Sequence, residues 1–260
     1  MIGITRRMSV IISGLAVLAL LVLWYAVTRA HLVSGLFFPS PQTVWQAFVS
    51  ILQHGYKGIS LWQHLGASLG RMLAAFLLAA VIAVPLGLLS GYEPRVRAVF
   101  EPMIEFYRPL PPLAYYALLV IWLGIGNGSK IALLFLACFA PIYVACVSAV
   151  IRIPPNYTRN AATLGASRFT IFIRVVFPMA LPDVFGGLRI ALGVGYTTLV
   201  AAEMVAARSG IGWMVLDASN FLRSDVIFVG IIIMAITGIC LDQLLRFARR
   251  LCVPWEGKEI

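Results

Sequence analysis

Residues 72–92 read MLAAFLLAAVIAVPLGLLSGY, an apolar run without a charged side chain. A helix rises about 1.5 Å per residue, so this run is long enough to cross about 30 Å of hydrocarbon. Similar runs recur along the 260-residue chain, in which 61% of residues are hydrophobic and 12% are charged. Soluble domains have about 45–50% apolar and about 25% charged residues. The sequence therefore predicts an all-α integral membrane protein.

The apolar runs predict about six transmembrane helices within a single transmembrane domain, 1–260. We expect the crossings at about 9–28, 64–90, 112–125, 129–151, 183–206 and 226–247. The first follows two arginines, as a signal peptide would, but it exceeds the usual apolar length of about 7–15 residues, so we interpret it as an uncleaved helix. The third is short, and we expect it to begin in the proline-broken segment before it. Broken helices are tolerated beside protein or water-filled cavities.

A shorter helix is predicted between the first two crossings. Residues 37–52 read FFPSPQTVWQAFVSIL, in which two prolines precede apolar residues at helical spacing. We expect this amphipathic helix to lie on the outer membrane surface.

The basic residues predict the orientation of the chain. With both termini in the cytoplasm, thirteen Lys and Arg residues fall on the inner side and five on the outer side, with Arg71 and Arg189 left out because they lie near span ends. Cytoplasmic loops of membrane proteins carry this excess. The same asymmetry accounts for the net charge of +10 without a nucleic-acid partner, since no basic patch interleaved with aromatic residues is present.

Cysteine, histidine and glycine patterns argue against several kinds of site. The four cysteines have no metal or redox spacing, and the three histidines are scattered without neighbouring carboxylates. A metal site is therefore not expected. The phosphate-binding motif G-x-x-x-x-G-K-[ST] is absent from the sequence, so we expect no ATP hydrolysis by this chain itself and no cofactor bound to it.

The segment 152–178 is the expected centre of the mechanism. It reads RIPPNYTRNAATLGASRFTIFIRVVFP and carries four arginines and no acid. We expect two short helices that meet at a bend near Gly165, on the cytoplasmic side. Small residues on both sides of this glycine would let another protein approach closely.

This segment resembles the cytoplasmic loop of permease subunits from bacterial binding-protein-dependent ABC importers. Their loop reads E-A-A-x-x-x-G and is followed by a proline. Arg159, Asn160 and Ala161 occupy the three leading positions, Gly165 is the glycine and Pro178 the proline. The acid and the first alanine of the family pattern are replaced here by Arg159 and Asn160.

The resemblance extends over nearly the whole chain. The stretches FYRPLPPLAYYALLVIWLGIGNGSKI (106–131), GLRIALGVGYTTLVAAEM (187–204) and GIGWMVLDASNFLRSDVIFVGI (210–231) are similar to the branch that imports taurine, alkanesulfonates, nitrate and related solutes. The resemblance implies taurine as the leading solute. Other sulfonates, nitrate and a thiamine precursor stay open.

The family resemblance also implies partners. Two permease copies would enclose one path, two cytoplasmic ATPase subunits would bind ATP and Mg²⁺, and a periplasmic binding protein would deliver the solute. The ATPases would contact Arg159, Asn160, Ala161, Gly165, Ala166 and Pro178. These residues could instead only cap and bend two interfacial helices.

The expected transport path lies along the fifth crossing. Glu203 is an ionisable group near its outer end, and such groups within a bilayer are usually functional. Thr197 and Thr198 lie nearer the midplane and could line a polar path, and Tyr196 is a further candidate. Glu203 could instead only reach the lipid headgroups.

Other charges on the spans have simpler interpretations. We expect Arg71 and Arg189 to reach the headgroups with their long side chains. Arg189 could instead help to bind an anionic solute. Asp242 is expected to pair with Arg246, and Glu105 with Arg108, because residues three or four apart are neighbours on a helix.

The sequence offers little support for two other functional classes. A self-powered secondary transporter or channel would carry charged residues deep in several spans, whereas this sequence offers only Glu203 and Arg189 as candidates. A membrane-embedded enzyme would need a His, Asp or Cys constellation at membrane depth, and the sequence contains none.

Overall fold

The computed structural model describes residues 6–30 and 33–255 and is helical throughout, with no strand among these residues. Eleven α-helices and one π-helical turn follow in order: α1 Arg6–Arg29, α2 Pro41–His54, α3 Leu61–Tyr92, α4 Pro94–Tyr107, α5 Pro112–Leu123, α6 Asn127–Ile151, α7 Pro155–Thr163, α8 Arg168–Ile171, the π turn Phe172–Val176, α9 Phe177–Ala206, α10 Ile211–Asn220 and α11 Ser224–Cys252. The terminal residues 1–5 and 256–260, whose cytoplasmic position we predicted, lie outside the described residues.

Four of these helical segments are long and apolar enough to cross a membrane: α3, α6, the continuous stretch Arg168–Val205, and α11. Two shorter apolar segments, Gly14–Arg29 and Pro112–Leu123, coincide with the first and third expected crossings. The predicted all-α membrane architecture is confirmed. The break between α4 and α5 falls at Pro109, Pro111 and Pro112, where three missing amide protons and fixed φ angles prevent a continuous helix.

The centre of the molecule is built from α3, α6 and α9. Glycines allow these helices to approach closely: a Cβ on Gly87 of α3 would lie 2.8 Å from the carbonyl oxygen of Tyr143 on α6, and one on Gly195 of α9 would lie 2.5 Å from the Sγ of Cys138. Membrane helices use small residues in this way because their backbones then gain dispersion contacts. A Cβ on Gly193, two residues earlier, would meet nothing within 4 Å, so this glycine is not needed for such a contact.

A second apolar cluster joins α2, α10 and α11. Ser40 caps the first turn of α2 by accepting a hydrogen bond from the Thr43 amide at 3.2 Å, and Pro41 occupies the first helical position. Val44 and Ile51 then point inward against α10 and α11, while Trp45 on the opposite side is exposed. The predicted amphipathic helix is therefore present and packs against the two C-terminal helices.

Candidate coupling surface and transport path

The segment between α6 and α9 forms a helical hairpin with a glycine at its bend. Pro155 opens α7, and Gly165 follows its end with φ of +82°, a left-handed conformation that favours glycine. The Gly165 amide donates to the Ala162 carbonyl at 3.0 Å, and the Ala166 amide donates to the Ala161 carbonyl at 3.1 Å. This pair of bonds is the Schellman arrangement that ends helices. The predicted bend at Gly165 is present.

Large apolar side chains project outward around this bend. Leu164 is 88% exposed and Phe169 is 75% exposed, and a Cβ on Gly165 would meet nothing within 4 Å. Arg159 and Asn160 are also exposed, whereas Ala161 and Ala166 pack partly against the core. We name the exposed set Arg159, Asn160, Leu164, Gly165 and Phe169 the coupling surface. Clustered apolar side chains rimmed by polar ones mark interaction sites.

The second half of the hairpin differs from the expected arrangement. α8 does not end as a separate short helix but continues through the π turn into α9, so one helical stretch runs from Arg168 to Val205. Pro178 lies near the beginning of α9, half-buried and apart from the coupling surface. Because proline has no amide proton for the carbonyl four residues earlier, the local register shifts, and a π turn accommodates the change.

The hairpin is connected to the end of α3. The Tyr92 hydroxyl donates to the Arg168 carbonyl at 3.1 Å, and the Tyr92 ring lies 5.3 Å from that of Phe172. A cavity of about 490 Å³ lies behind the hairpin, lined by residues that include Gly91, Glu93 and Thr158. A displacement of α7 and α8 would therefore move the C-terminal end of α3 and the beginning of α9.

A buried ion pair joins α3 to α9 at the opposite end of the helices from the hairpin. Arg71 and Glu203 are 7% and 1% exposed, and Nη1 of Arg71 lies 2.6 Å from Oε1 of Glu203. The guanidinium also donates to Oδ1 of Asn127 and to the carbonyl of Ser209, both at 2.8 Å. The expectation that Arg71 reaches the headgroups is wrong, because its guanidinium is buried and makes four hydrogen bonds, to Asn127, Glu203 and Ser209. In this conformation the Glu203 carboxylate faces Arg71 and not an open passage.

The same cluster holds the beginning of α10. The amides of Gly210, Ile211 and Gly212 donate to Nδ1 of His64, Oγ of Ser68 and Oε2 of Glu203, at 3.1, 2.9 and 3.0 Å respectively. These amides have no partner within the helix and must find one elsewhere when buried. A Cβ on Gly210 would lie 2.4 Å from the Glu203 carboxylate, so the glycine is needed for this approach. The buried charge cluster consists of His64, Ser68, Arg71, Glu203 and these amides.

The threonines and the tyrosine on α9 lie on different sides of that helix. Thr197 is exposed, with its hydroxyl donating to the Val194 carbonyl at 2.9 Å, while Thr198 is buried and donates to the same carbonyl at 2.8 Å. The Tyr196 hydroxyl donates to the Met234 carbonyl of α11 at 2.9 Å. Thr197 is therefore the one of these three with a side chain that faces outward, although its hydroxyl is satisfied by its own helix.

The ion pairs of the structure differ in two ways from those expected for the charges on the spans. Asp242 and Arg246 form the expected pair at 2.5 Å, but Asp242 also receives a bond from Arg189 at 2.5 Å, so Arg189 links α9 to α11 and does not only reach the headgroups. Glu105 and Arg108 form no ion pair within residues 33–255; the pair in α4 is Arg97 with Glu101 at 2.9 Å.

Comparison with known proteins connects this geometry to a family. Residues 83–251 match the model of the family described as "Binding-protein-dependent transport system inner membrane component". The chain belongs to this family. The matched range includes the whole hairpin, the Arg168–Val205 helix and α10. The family resemblance predicted from the sequence is confirmed.

Several relatives of this permease have names that concern taurine, aliphatic sulfonates or nitrate. It is 44% identical to the taurine transport system permease protein of Escherichia coli (strain K12), over 98% of the chain and 92% of the relative. It is 30% identical to a putative aliphatic sulfonates transport permease protein of Bacillus subtilis, over 94% and 88%, and 31% identical to a nitrate import permease protein of Synechocystis sp., over 96% and 92%. The permease is thus a multi-pass inner-membrane component of an ABC-type transport system.

Two parts of the permease were not predicted from the sequence. One is α10, since no helix is predicted between the fifth and sixth crossings. The other is the pair of Arg71 and Glu203, whose side chains are in contact although they lie 132 positions apart along the chain. A signal was present: two opposite charges near the ends of two apolar runs can be buried only if they are paired.

Proposed function

We propose that this permease forms the membrane path of an ATP-driven importer and that the coupling surface binds an ATPase subunit in the cytoplasm. The main supporting observation is the exposure of the large apolar side chains of Leu164 and Phe169 on a hairpin whose contact with the core is made by Ala161, Ala166 and Ile171. ATP and Mg²⁺ would be bound by the two ATPase subunits. The permease would act as a homodimer, with both termini in the cytoplasm, and would receive solute from a periplasmic binding protein.

The proposed solute is taurine or another sulfonate. Its support is the identity of 44% to a taurine transport system permease protein, together with relatives whose names concern aliphatic sulfonates and nitrate. Thr197, Thr198, Tyr196 and Glu203 remain the proposed path residues of α9. Of these, Thr197 would face solute directly, while Glu203 would act by holding α10 in place.

Copurification with the cognate ATPase subunit tests the coupling surface. Gly165→Asp adds a charge and strains a left-handed turn, and we expect it to abolish copurification. Leu164→Asp places the charge at a residue with ordinary φ of −82° and should reduce copurification at least tenfold. The matched control is Gly58→Asp, because Gly58 has φ of +78° and open space, like Gly165, but lies in the α2–α3 turn.

The outcomes separate this proposal from its alternative. Retained copurification in both hairpin variants, with unaltered uptake in liposomes, would overturn the proposed coupling surface. Taurine uptake by liposomes that contain the permease alone would instead support a self-powered secondary transporter or channel.

A further inference from the structure

A groove between α6 and the beginning of α9 carries charges that neither the coupling surface nor the buried charge cluster uses. It has a volume of about 430 Å³, within the range of about 300–1,000 Å³ usual for small-molecule sites. Its lining combines charged, hydroxyl and small residues, among them Arg108, Ser148, Arg152, Asp183 and Gly186. We name it the inner groove, because Arg152 directly follows the last residue of α6, at the end next to the hairpin.

Neighbouring glycines shape the inner groove in opposite ways. A Cβ on Gly187 would lie 2.2 Å from the Cβ of Ala145, so this glycine lets α9 and α6 touch and forms the floor. A Cβ on Gly186 would meet nothing within 4 Å, so this glycine leaves the space above the floor open. A larger side chain at Gly186 would therefore enter the groove without disturbing the helix contact.

The charges of the inner groove are poorly satisfied by the protein. Arg152 and Asp183 approach only to 3.7 Å, with side chains 72% and 51% exposed. In the part of the chain that the structure describes, the Arg108 guanidinium makes no hydrogen bond or ion pair. Two guanidinium groups and one carboxylate thus line the same space and keep most of their bonding capacity free.

We propose that the inner groove binds a small zwitterion, with its oxyanion between Arg108 and Arg152 and its ammonium group on Asp183. Guanidinium groups bind planar or tetrahedral oxyanions through paired N–H donors, and a carboxylate binds an ammonium group. An aminosulfonate such as taurine has both groups, so the groove serves as an exit site on the cytoplasmic half of the path. This step rests on the proposed function. The headgroup of phosphatidylethanolamine has the same chemistry and is the second possible source.

Binding to the complex of permease and ATPase, in nanodiscs without phosphatidylethanolamine and without binding protein, tests this proposal. Saturation-transfer NMR would compare taurine with ethanesulfonate, which lacks the ammonium group. Exposed ion pairs are weak, so Arg108→Gln and Arg152→Gln should each weaken both ligands about two- to fivefold. Asp183→Asn should weaken taurine to a similar extent and leave ethanesulfonate unchanged. Gly186→Leu should abolish both signals, and Arg97→Gln, an arginine outside the groove, should change neither.

Each outcome has a defined consequence. If the wild type and all groove variants bind taurine equally and still copurify with the ATPase, the proposed binding site in the inner groove is overturned. The proposed function would then still stand. Two results together would assign the inner groove to lipid and overturn the exit site. The first is no taurine binding in these discs, and the second is a lipid headgroup retained in the groove in discs that contain phosphatidylethanolamine. Failure of wild-type permease to associate with the ATPase would contradict the proposed function itself.

Discussion

Breaking the buried pair of Arg71 and Glu203 should cost more than the loss of two ordinary hydrogen bonds. Removal of one member of a buried ion pair costs about 3–5 kcal/mol, because the remaining charge stays buried without its partner. Arg71→Met would leave the Glu203 carboxylate with Ser68 and the Gly212 amide. Glu203→Gln would leave the guanidinium facing neutral acceptors. We therefore expect each single variant to lower the free energy of unfolding by about 3 kcal/mol.

The double variant separates pairing from simple loss of contacts. Once both charges are gone, no unpaired ion remains, so the double variant should cost at least about 2 kcal/mol less than the sum of the singles. Equilibrium unfolding in mixed micelles, followed by tryptophan fluorescence, measures the three differences. Arg97 and Glu101 serve as the matched control, since they form a 2.9 Å pair with side chains 40% and 32% exposed. Their coupling should be about 0.3–0.5 kcal/mol.

The same cycle can refute the reasoning. If the coupling between Arg71 and Glu203 is no larger than that between Arg97 and Glu101, the buried pair does not act as a unit and α10 is not held by it.

Two further predictions concern the end of the molecule that carries α10. Gly210→Ala should lower the free energy of unfolding by about 1–3 kcal/mol more than Gly58→Ala does. Both glycines have positive φ, but only a Cβ at position 210 would lie against the Glu203 carboxylate. Thermal unfolding of the two variants measures the difference, and equal losses of stability would contradict the prediction. Burial and a hydrogen bond to Asp217 raise the pKa of Tyr56 to about 12. Since this pKa is higher than in the unfolded chain, the contribution to stability is complete below pH 10 and is lost as pH rises towards 12. Asp217→Asn should lower the pKa of Tyr56 towards 10. The titration is followed as tyrosinate absorbance, with the Tyr56→Phe variant of the same protein as the reference. An unchanged pKa would contradict the assigned hydrogen bond.

Local pattern predicted the long helices and one of the two ion pairs expected within them. Apolar run length located the long helices, and four-residue spacing located the pair of Asp242 and Arg246, because both depend on neighbours along the chain. The bend at Gly165 was predicted for a similar reason, since glycine at a helix end favours the left-handed conformation.

Contacts between distant helices could not be predicted in this way. Arg71 near the end of an apolar run suggests a side chain that reaches the headgroups, and only the packing of α3 against α9 shows that it turns inward. Arg189 was misjudged for the same reason, since its partner Asp242 is on another helix. Likewise, the first amides of α10 donate hydrogen bonds to side chains that are distant in the sequence. The sequence near Gly210 therefore contains little that predicts where this helix begins.

Membrane-impermeant maleimide labelling of the hairpin tests the central claim most directly. Leu164→Cys and, as an outer-face control, Lys57→Cys would be introduced into a background without the four native cysteines. The proposed orientation predicts labelling of Lys57→Cys in intact cells, and labelling of Leu164→Cys only in inverted vesicles, where added ATPase subunit should protect it. Labelling of Leu164→Cys in intact cells would place the hairpin in the periplasm and contradict the account.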